Sequence, residues 1–319
     1  MMMFYVTMIS RIFHTTRKKN VTLNPKGRLT LQDVDLIITV FERTYRNLLM
    51  PGKIKLIEMD NNRFFSHKVV LINNVSDKEH AQRLADELVA SAEITSYAFV
   101  DDHLEQSLSA SGMKLKDLGC IPHYSDCALV AIHLLGSPWL CYWDAEARLQ
   151  QPVNWIDPAI KLMEGDRRII VANPNWWRDG LDAETDERIG EFSLGYGFSD
   201  CVFLCRRADL SAPIYHYRTV ASLRYPLSYI SPVFEQRIDA FMRVNRKLRA
   251  TCNSAVYIHP ESEGSSYPTA SPISRLRRRR NRMILSLTRK FTRKFKITNP
   301  RYRIDGLASL YFNNPKPAR

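Results

Sequence analysis

Two carboxylates spaced two residues apart, Asp144 and Glu146, are the side chains that point most directly to chemistry. They follow an apolar run at residues 139–143, which fits a buried strand after a Gly-Ser-Pro turn. If the chain stays extended, residues two apart point to the same side, so both carboxylates project together from the strand end. Their oxygens would form a hard-ligand site suited to Mg²⁺ or Mn²⁺. The alternative is a polar loop that is acidic by chance.

Strands and helices alternate before this pair of carboxylates. Apolar runs rich in β-branched residues predict strands at residues 34–41, 68–72 and 94–100, and a helix at residues 78–90 follows the second strand. This order predicts an α/β fold with a mostly parallel sheet flanked by helices. In such an open sheet, ligands bind beyond the carboxyl ends of the strands.

The rest of the chain continues with the same kinds of element. The patterns predict helices at residues 125–135, 154–164 and 233–248, and strands at residues 168–172, 198–206 and 255–258. The first of these helices is expected to turn Leu135 toward the core. Residues 107–120 and the aromatic stretch 173–177 are expected to form loops, and the acidic residues 179–191 to be exposed.

The positive charge of the chain is concentrated near its C-terminal end. The 319 residues carry a formal net charge of +13. Residues 275–319 hold 15 of the 46 basic residues and one of the 33 acidic residues, so this segment carries +14 and the remainder −1. The basic character therefore does not indicate that the whole protein binds nucleic acid. Six cysteines without a C-x-x-C pair indicate a reducing cytoplasm, with no disulfide framework and no zinc site.

Composition divides the chain into four parts. Residues 1–27 are expected to form an N-terminal extension, whose apolar start is shorter than the roughly 20 residues that span a bilayer. Residues 28–260 are expected to form the folded domain. Residues 261–274, rich in Ser and Pro, read as a linker to a basic amphipathic tail at residues 275–319.

The order of the parts resembles a GT-A glycosyltransferase of the broad kind related to glycosyltransferase family 2. The motifs that carry the resemblance, over about residues 34–260, are Tyr124-Ser125-Asp126 at a helix start, Trp143-Asp144-Ala145-Glu146 at a strand end, Gly197-Phe198-Ser199-Asp200, Phe234-Glu235 and Tyr257-Ile258-His259-Pro260. The second acid of the family's D-x-D pattern is Glu here, which leaves a metal-independent relative open.

The resemblance implies a GT-A-like fold with a nucleotide-sugar half at about residues 28–150 and an acceptor half at about residues 151–260. It implies a hexosyltransferase-like enzyme that moves a sugar from a nucleotide-sugar donor to a glycan or lipid-linked acceptor. It also implies a divalent cation, Mn²⁺ or Mg²⁺, which neutralises the diphosphate leaving group of the donor.

The resemblance also implies roles for individual side chains. The metal residues are Asp144, Glu146 and His259; the donor-binding residues are Asn74, Asp77, Asp102, Asp126 and Asp144; the acceptor-binding residues are Trp176, Trp177 and Asp200; and Glu235 is the general base of an inverting reaction.

Each of these roles has a structural alternative. Asp77 and Ser125 are equally well explained as helix caps, and Glu235 as a first-turn acid that the helix dipole favours. Asp102 fits a solvated strand end, and His259 fits a strand-end histidine bonded to backbone. The Trp pair fits a core position under a loop.

The tail is interpreted as a peripheral membrane anchor at the inner, cytoplasmic face of the membrane. Wound as a helix, residues 275–296 place Ile284, Leu287, Phe291 and Phe295 toward one side with Lys and Arg around them, which suits an anionic bilayer surface. Nucleic acid is the main rival ligand and is not the expected partner. A disordered, solvated arm is the other alternative.

Two other functions remain open. A nucleotidyltransferase of similar α/β fold would also use paired carboxylates, but no Gly-rich phosphate loop follows the first strand. A non-catalytic protein that binds membrane or nucleic acid through its basic tail is the second alternative.

Overall fold

The computed structural model describes most of residues 32–258 and a few residues beyond them. The described residues are 32–118, 122–176, 185–219, 222, 234–258, 279–280, 283 and 286–287. All of them belong to the unit Gln32–Arg319. The expected N-terminal extension, the linker and most of the basic tail lie outside the described residues. In the part of the chain that is described, no helix has the length and hydrophobicity that a membrane crossing requires.

The described elements alternate along the chain as follows. The strands are β1 Val34–Phe41, β2 His67–Asn73, β3 Ser96–Phe99, β4 Trp139–Asp144, β5 Arg148–Leu149, β6 Ile169–Trp176, β7 Thr185–Ile189, β8 Phe192–Gly195, β9 Val202–Arg206 and β10 Leu248–Ile258. The helices are α1 Tyr45–Leu48, α2 Lys53–Asp60, α3 Lys78–Ala90, α4 Val100–Ala110, α5 Asp126–His133, α6 Ile156–Gly165, α7 Arg207–Leu210 and α8 Phe234–Asn245. Two 3₁₀ turns, Leu115–Leu118 and Pro122–Tyr124, precede α5.

These strands form one sheet flanked by helices, so the predicted α/β class is confirmed. The order is β3-β2-β1-β4-β9-β6-β10-β8-β7, and β5 pairs with β10. The first four strands in this order are parallel to one another. Because β9 is antiparallel to both β4 and β6, those two strands run in the same direction. The carboxyl ends of β1, β2, β4 and β6 therefore lie at one edge of the sheet, called the carboxyl edge below, and the opposite one is the amino edge.

The first strand has the bounds that the sequence predicts. Seven of the eight residues of β1 are buried, as expected for a strand that lies between two parallel neighbours and is covered on both faces. The predicted cap of α3 is also confirmed, because Asp77 Oδ1 accepts a hydrogen bond from the backbone N–H of His80 at 2.9 Å. The local hydrophobic pattern thus correctly predicts β1, and capping chemistry correctly predicts the start of α3.

The region after β2 differs from the prediction. The strand expected at residues 94–100 is limited to Ser96–Phe99, and the chain enters α4 directly at Val100. The first part of the predicted loop at residues 107–120 is therefore helical. Leu135, which was expected to face the core, is fully exposed because α5 ends at His133.

The predicted aromatic loop at residues 173–177 is also wrong for the residues that are described. Residues 173–176 are the end of β6, because β10 pairs with this strand as far as Trp176 opposite Tyr257. Strand β10 is correspondingly longer than the predicted four residues and spans eleven. Tertiary pairing thus overrides the turn signal of the Asn173-Pro174-Asn175 stretch.

A series of aromatic contacts connects the start of α8 to β4. Tyr142 stacks on Phe203 of β9 with ring centroids 4.9 Å apart. Phe198 lies 4.8 Å from Phe203 and 5.9 Å from Phe234, the first residue of α8. Such pairs contribute roughly 0.5–1.5 kcal/mol each beyond burial of area. They hold the first turn of α8, which contains Glu235, on the face of the sheet that Tyr142 occupies.

A buried ion pair between Asp35 and Arg207 lies at the amino edge, near the start of β1. Asp35 accepts hydrogen bonds from Arg207 Nη2 at 2.7 Å and from the backbone N–H of Ser137 at 2.8 Å. Burial raises the pKa of Asp35, but the hydrogen bonds from Ser137 and Arg207 and the Arg207 charge outweigh burial and leave it below its usual value. The pair joins α7 and the turn before β4 to β1.

Gly136→Ala is expected to destabilise the protein because the new methyl group would collide with this ion pair. A Cβ at Gly136 would lie 1.9 Å from Asp35 Oδ2 and 3.1 Å from Arg207 Nη2. Overpacking of this kind costs about 1–3 kcal/mol. The measurement is urea unfolding, with Gly165→Ala as the control, because no atom lies within 4 Å of a Cβ at Gly165. Equal midpoints for both variants would contradict the prediction.

Candidate active site at the carboxyl edge

Several of the predicted donor-binding residues lie at the carboxyl edge. Asn74 follows β2, is exposed and has a positive φ of 46°, a conformation that Asn tolerates. Asp77 caps α3 just beyond it. Asp102 lies exposed in the first turn of α4, after β3. Asp144 is the last residue of β4. Since β3 is the outermost strand of the parallel half, Asp102 is separated from Asp144 by β2 and β1.

The chain turns at Asp144 and does not stay extended, so the condition under which both carboxylates would project together from the strand end is not met. The Oδ1 atom of Asp144 accepts a hydrogen bond from the backbone N–H of Glu146 at 2.9 Å, and its carbonyl accepts one from the N–H of Ala147 at 2.9 Å. A short polar side chain that bonds the backbone two residues on stabilises such a turn. Both carboxylates are half-buried, and a turn, not a strand, sets their relative position.

Two acidic side chains, Asp144 and Asp200, act electrostatically on the hydroxyl of Tyr142. Burial raises the pKa of Tyr142 well above its usual value, the contact with Cys127 adds to this, and the negative charges of Asp144 and Asp200 raise it further. The Cys127 Sγ and Tyr142 Oη atoms are 3.1 Å apart. Burial raises the pKa of Cys127 to about 12, so its thiol is not a nucleophile at neutral pH.

Asp126 is fully buried at the start of α5 and organises its neighbours. Its Oδ1 atom accepts hydrogen bonds from Asn73 Nδ2 and from the backbone N–H of Cys127, both at 2.7 Å, and its Oδ2 atom lies 2.9 Å from His123 Nδ1. Burial raises the pKa of Asp126, and this effect exceeds the lowering of the pKa by these hydrogen bonds. The side chain of Asp126 has no exposed surface, whereas that of His123 is 47% exposed.

The site residues that were predicted in the acceptor half lie on different elements of the fold. Asp200 is buried just before β9 and acts electrostatically on Tyr142. Glu235 is a half-buried residue in the first turn of α8. Trp176 ends β6 and packs partly buried against the core. Trp177 and His259 lie outside the described residues.

Asn173 and Asn175, to which the sequence pattern assigns no role, share the sheet face of Tyr142. The pairing of β4, β9 and β6 places Asn173 and Asn175 on that face by alternation, and Trp176 on the other. Both asparagines are buried. The sequence does not reveal that these side chains alternate between the two sheet faces, because the stretch has the composition of a loop.

The carboxylates at the turn fit a hard divalent cation by their chemistry. Mg²⁺ usually keeps several waters and is held by one or two carboxylates together with substrate phosphates. Asp144 and Glu146 supply two such carboxylates at the end of a central strand. In the part of the chain that is described, no group of three or more His, Cys, Asp or Glu side chains has the geometry of a metal site.

No family model matches the chain, and no curated protein matches it in sequence. Solved structures with a similar fold include GalNAc-T7 with UDP, GalNAc and Mn²⁺, at 14% identity and a TM-score of 0.46, over 76% of this chain and 47% of that one. The match thus spans about half of GalNAc-T7.

Two further solved structures with a similar fold have lower TM-scores. Glucosyl-3-phosphoglycerate synthase from Mycobacterium tuberculosis, with Mn²⁺, UDP and glucosyl-3-phosphoglycerate, has 10% identity and a TM-score of 0.37, over 77% of this chain and 75% of that one. Mouse xyloside xylosyltransferase 1 has 12% identity and a TM-score of 0.32, over 55% of this chain and 68% of that one. These likenesses concern the fold of the chain.

Proposed function

We propose that this protein is a glycosyltransferase that moves a sugar from a nucleotide-sugar donor to a glycan or lipid-linked acceptor, with the help of Mn²⁺ or Mg²⁺. The observation that carries the proposal is the pair of half-buried carboxylates, Asp144 and Glu146, at a turn on the carboxyl edge of the sheet. Ligands of open α/β sheets bind at this edge.

The proposal assigns a role to each of the following side chains. A divalent cation bound by Asp144 and Glu146 would neutralise the diphosphate that leaves the donor. Glu235 accepts the proton of the acceptor hydroxyl, whose oxygen then bonds to the anomeric carbon of the sugar as the bond from that carbon to the diphosphate breaks. Asp200, which acts electrostatically on Tyr142, is proposed to accept a hydrogen bond from a hydroxyl of the acceptor sugar.

The test of this function is a screen of nucleotide sugars by thermal shift, with and without Mn²⁺, followed by a transfer assay. A ligand that binds the native state raises the melting temperature according to its occupancy. We expect a metal-dependent shift with a nucleotide sugar and release of nucleoside diphosphate on transfer. Transfer of the nucleotide instead of the sugar would assign the protein to the nucleotidyltransferases and contradict the proposal.

The basic tail is proposed to hold the enzyme at the cytoplasmic face of a membrane through residues 275–296. Each Lys or Arg near an anionic surface contributes about 1 kcal/mol, so the 11 basic residues of this segment favour binding. The full chain is expected to sediment with anionic vesicles at low salt, and a chain that ends at Ser271 to remain in solution. If neither form sediments, the tail is not a membrane anchor.

A further inference from the structure

The strand that precedes the linker and the basic tail ends beside the carboxylate turn. Strand β10 runs parallel to β6, so its last residue, Ile258, lies at the carboxyl edge. Ile258 pairs with Arg148 of β5. Arg148 comes two residues after Glu146, so the Cα atoms of Ile258 and Glu146 lie within about 13 Å of each other. The segment that leads to the tail therefore begins beside the proposed metal site.

The described residues of the basic tail present both charge and apolar surface to solvent. Arg279, Arg280, Met283 and Leu287 are helical and exposed. The exposed fractions of Met283 and Leu287 are 59% and 58%, and these two residues are four apart, so they share one side of a helix. More than half of the surface of each apolar residue is thus available to a membrane, with cations one turn away.

The short distance along the chain between β10 and the tail limits how the domain can face a membrane. Sixteen residues, 259–274, separate Ile258 from Arg275 (274 − 258 = 16). A linker of this length, rich in Ser, is expected to span roughly 20–24 Å on average. The eight residues of β1 extend about 26 Å between the two edges of the sheet. Turning the amino edge to the membrane would therefore require the linker to stretch past the whole sheet.

We propose that the acceptor is a lipid-linked sugar, which the carboxyl edge meets at the membrane surface that the tail binds. The inference rests on the proposed function and chooses between its two acceptor classes. A domain held at the bilayer meets lipid-linked sugars in a thin layer, where their effective concentration is far above that in bulk solution. The hydroxyl oxygen of this sugar bonds to the anomeric carbon of the donor sugar, its proton passes to Glu235, and the nucleoside diphosphate leaves.

Energy transfer to a headgroup dye in vesicles of phosphatidylglycerol and phosphatidylcholine measures which edge faces the bilayer. Fluorescent labels are attached to the full chain at the two ends of one strand, in Asp33→Cys before β1 and in Arg43→Cys after it, because both residues are exposed. We expect more efficient energy transfer from the label in Arg43→Cys. Wild type treated with the same label gives the background from the native cysteines. Equal efficiencies, or a higher one in Asp33→Cys, would overturn the inference.

Transfer rates of the full chain separate the two acceptor classes. Glucose, galactose, mannose and N-acetylglucosamine are offered as methyl glycosides in solution and as diacylglycerol glycosides in the same vesicles. At equal total concentration we expect transfer to the lipid-linked form to be at least about tenfold faster. Vesicles of phosphatidylcholine alone are the control, because they lack the anionic charge that the tail binds, and the advantage should disappear there. Equal rates on both forms with anionic vesicles would overturn the inference and leave the proposed function standing. Absence of both sugar transfer and a thermal shift with nucleotide sugars would overturn both.

Discussion

Asp144→Asn and Glu146→Gln are each expected to remove most of the sugar-transfer activity while the protein stays folded. The change in Asp144 removes a carboxylate charge but keeps an oxygen that can accept the N–H of Glu146, so the turn after β4 is preserved. Loss of one group that stabilises developing charge costs about 10²–10³ in turnover. The measurement is the initial rate of transfer at saturating donor and Mn²⁺.

Asp166→Asn is the matched control for the change in Asp144. Asp166 Oδ1 accepts the backbone N–H of Arg168 at 2.9 Å, two residues on, in a turn of the same kind. This turn precedes β6 and therefore lies at the amino edge. We expect normal transfer in Asp166→Asn. Near-normal turnover in both carboxylate variants at the edge, with saturating metal, would exclude the metal role of Asp144 and Glu146.

The sequence predicts the central strands well because their burial is encoded locally. The stretches that form β1 and β4 are mostly apolar, with Asp35 and Thr39 as the polar residues of β1, and strands covered on both faces have such a nearly continuous apolar pattern. The end of β6 was missed because Asn173 and Pro174 read as a turn, and only pairing with β10 keeps them extended. Pairing between residues far apart in the chain is not visible in local propensity.

The candidate site is predicted in part for the same physical reason. The two carboxylates at the end of β4 stand out because they end an apolar run, but the turn at Asp144 depends on hydrogen bonds from the N–H groups of Glu146 and Ala147 to this residue. The resemblance implies a donor contact for Asp126, but the burial of this acid is not visible in the sequence, since acids are usually exposed. Two N–H groups bond the buried carboxylate of Asp126, and one of them belongs to Asn73 of β2, which is far from Asp126 in the chain. The spacing of three residues between His123 and Asp126 was the available signal for their contact.

Glu235→Gln is expected to lower turnover by roughly two to four powers of ten with little change in donor affinity, if the reaction inverts the anomeric carbon. The aromatic contacts from Tyr142 through Phe203 and Phe198 to Phe234 hold the first turn of α8 near β4. Glutamine keeps the shape of the side chain but does not accept a proton at neutral pH. The measurements are steady-state transfer kinetics and donor titration on the same preparation.

Glu79→Gln separates a catalytic role of Glu235 from a role in the helix. Glu79 is the second residue of α3, as Glu235 is of α8, so both acids lie in a first turn that the helix dipole stabilises by about 0.3–1 kcal/mol. The two variants should therefore lose similar stability, because the same dipole interaction is removed from each. Only the loss of a proton acceptor distinguishes Glu235→Gln. If its turnover falls by no more than that of Glu79→Gln, Glu235 stabilises α8 and another group deprotonates the acceptor.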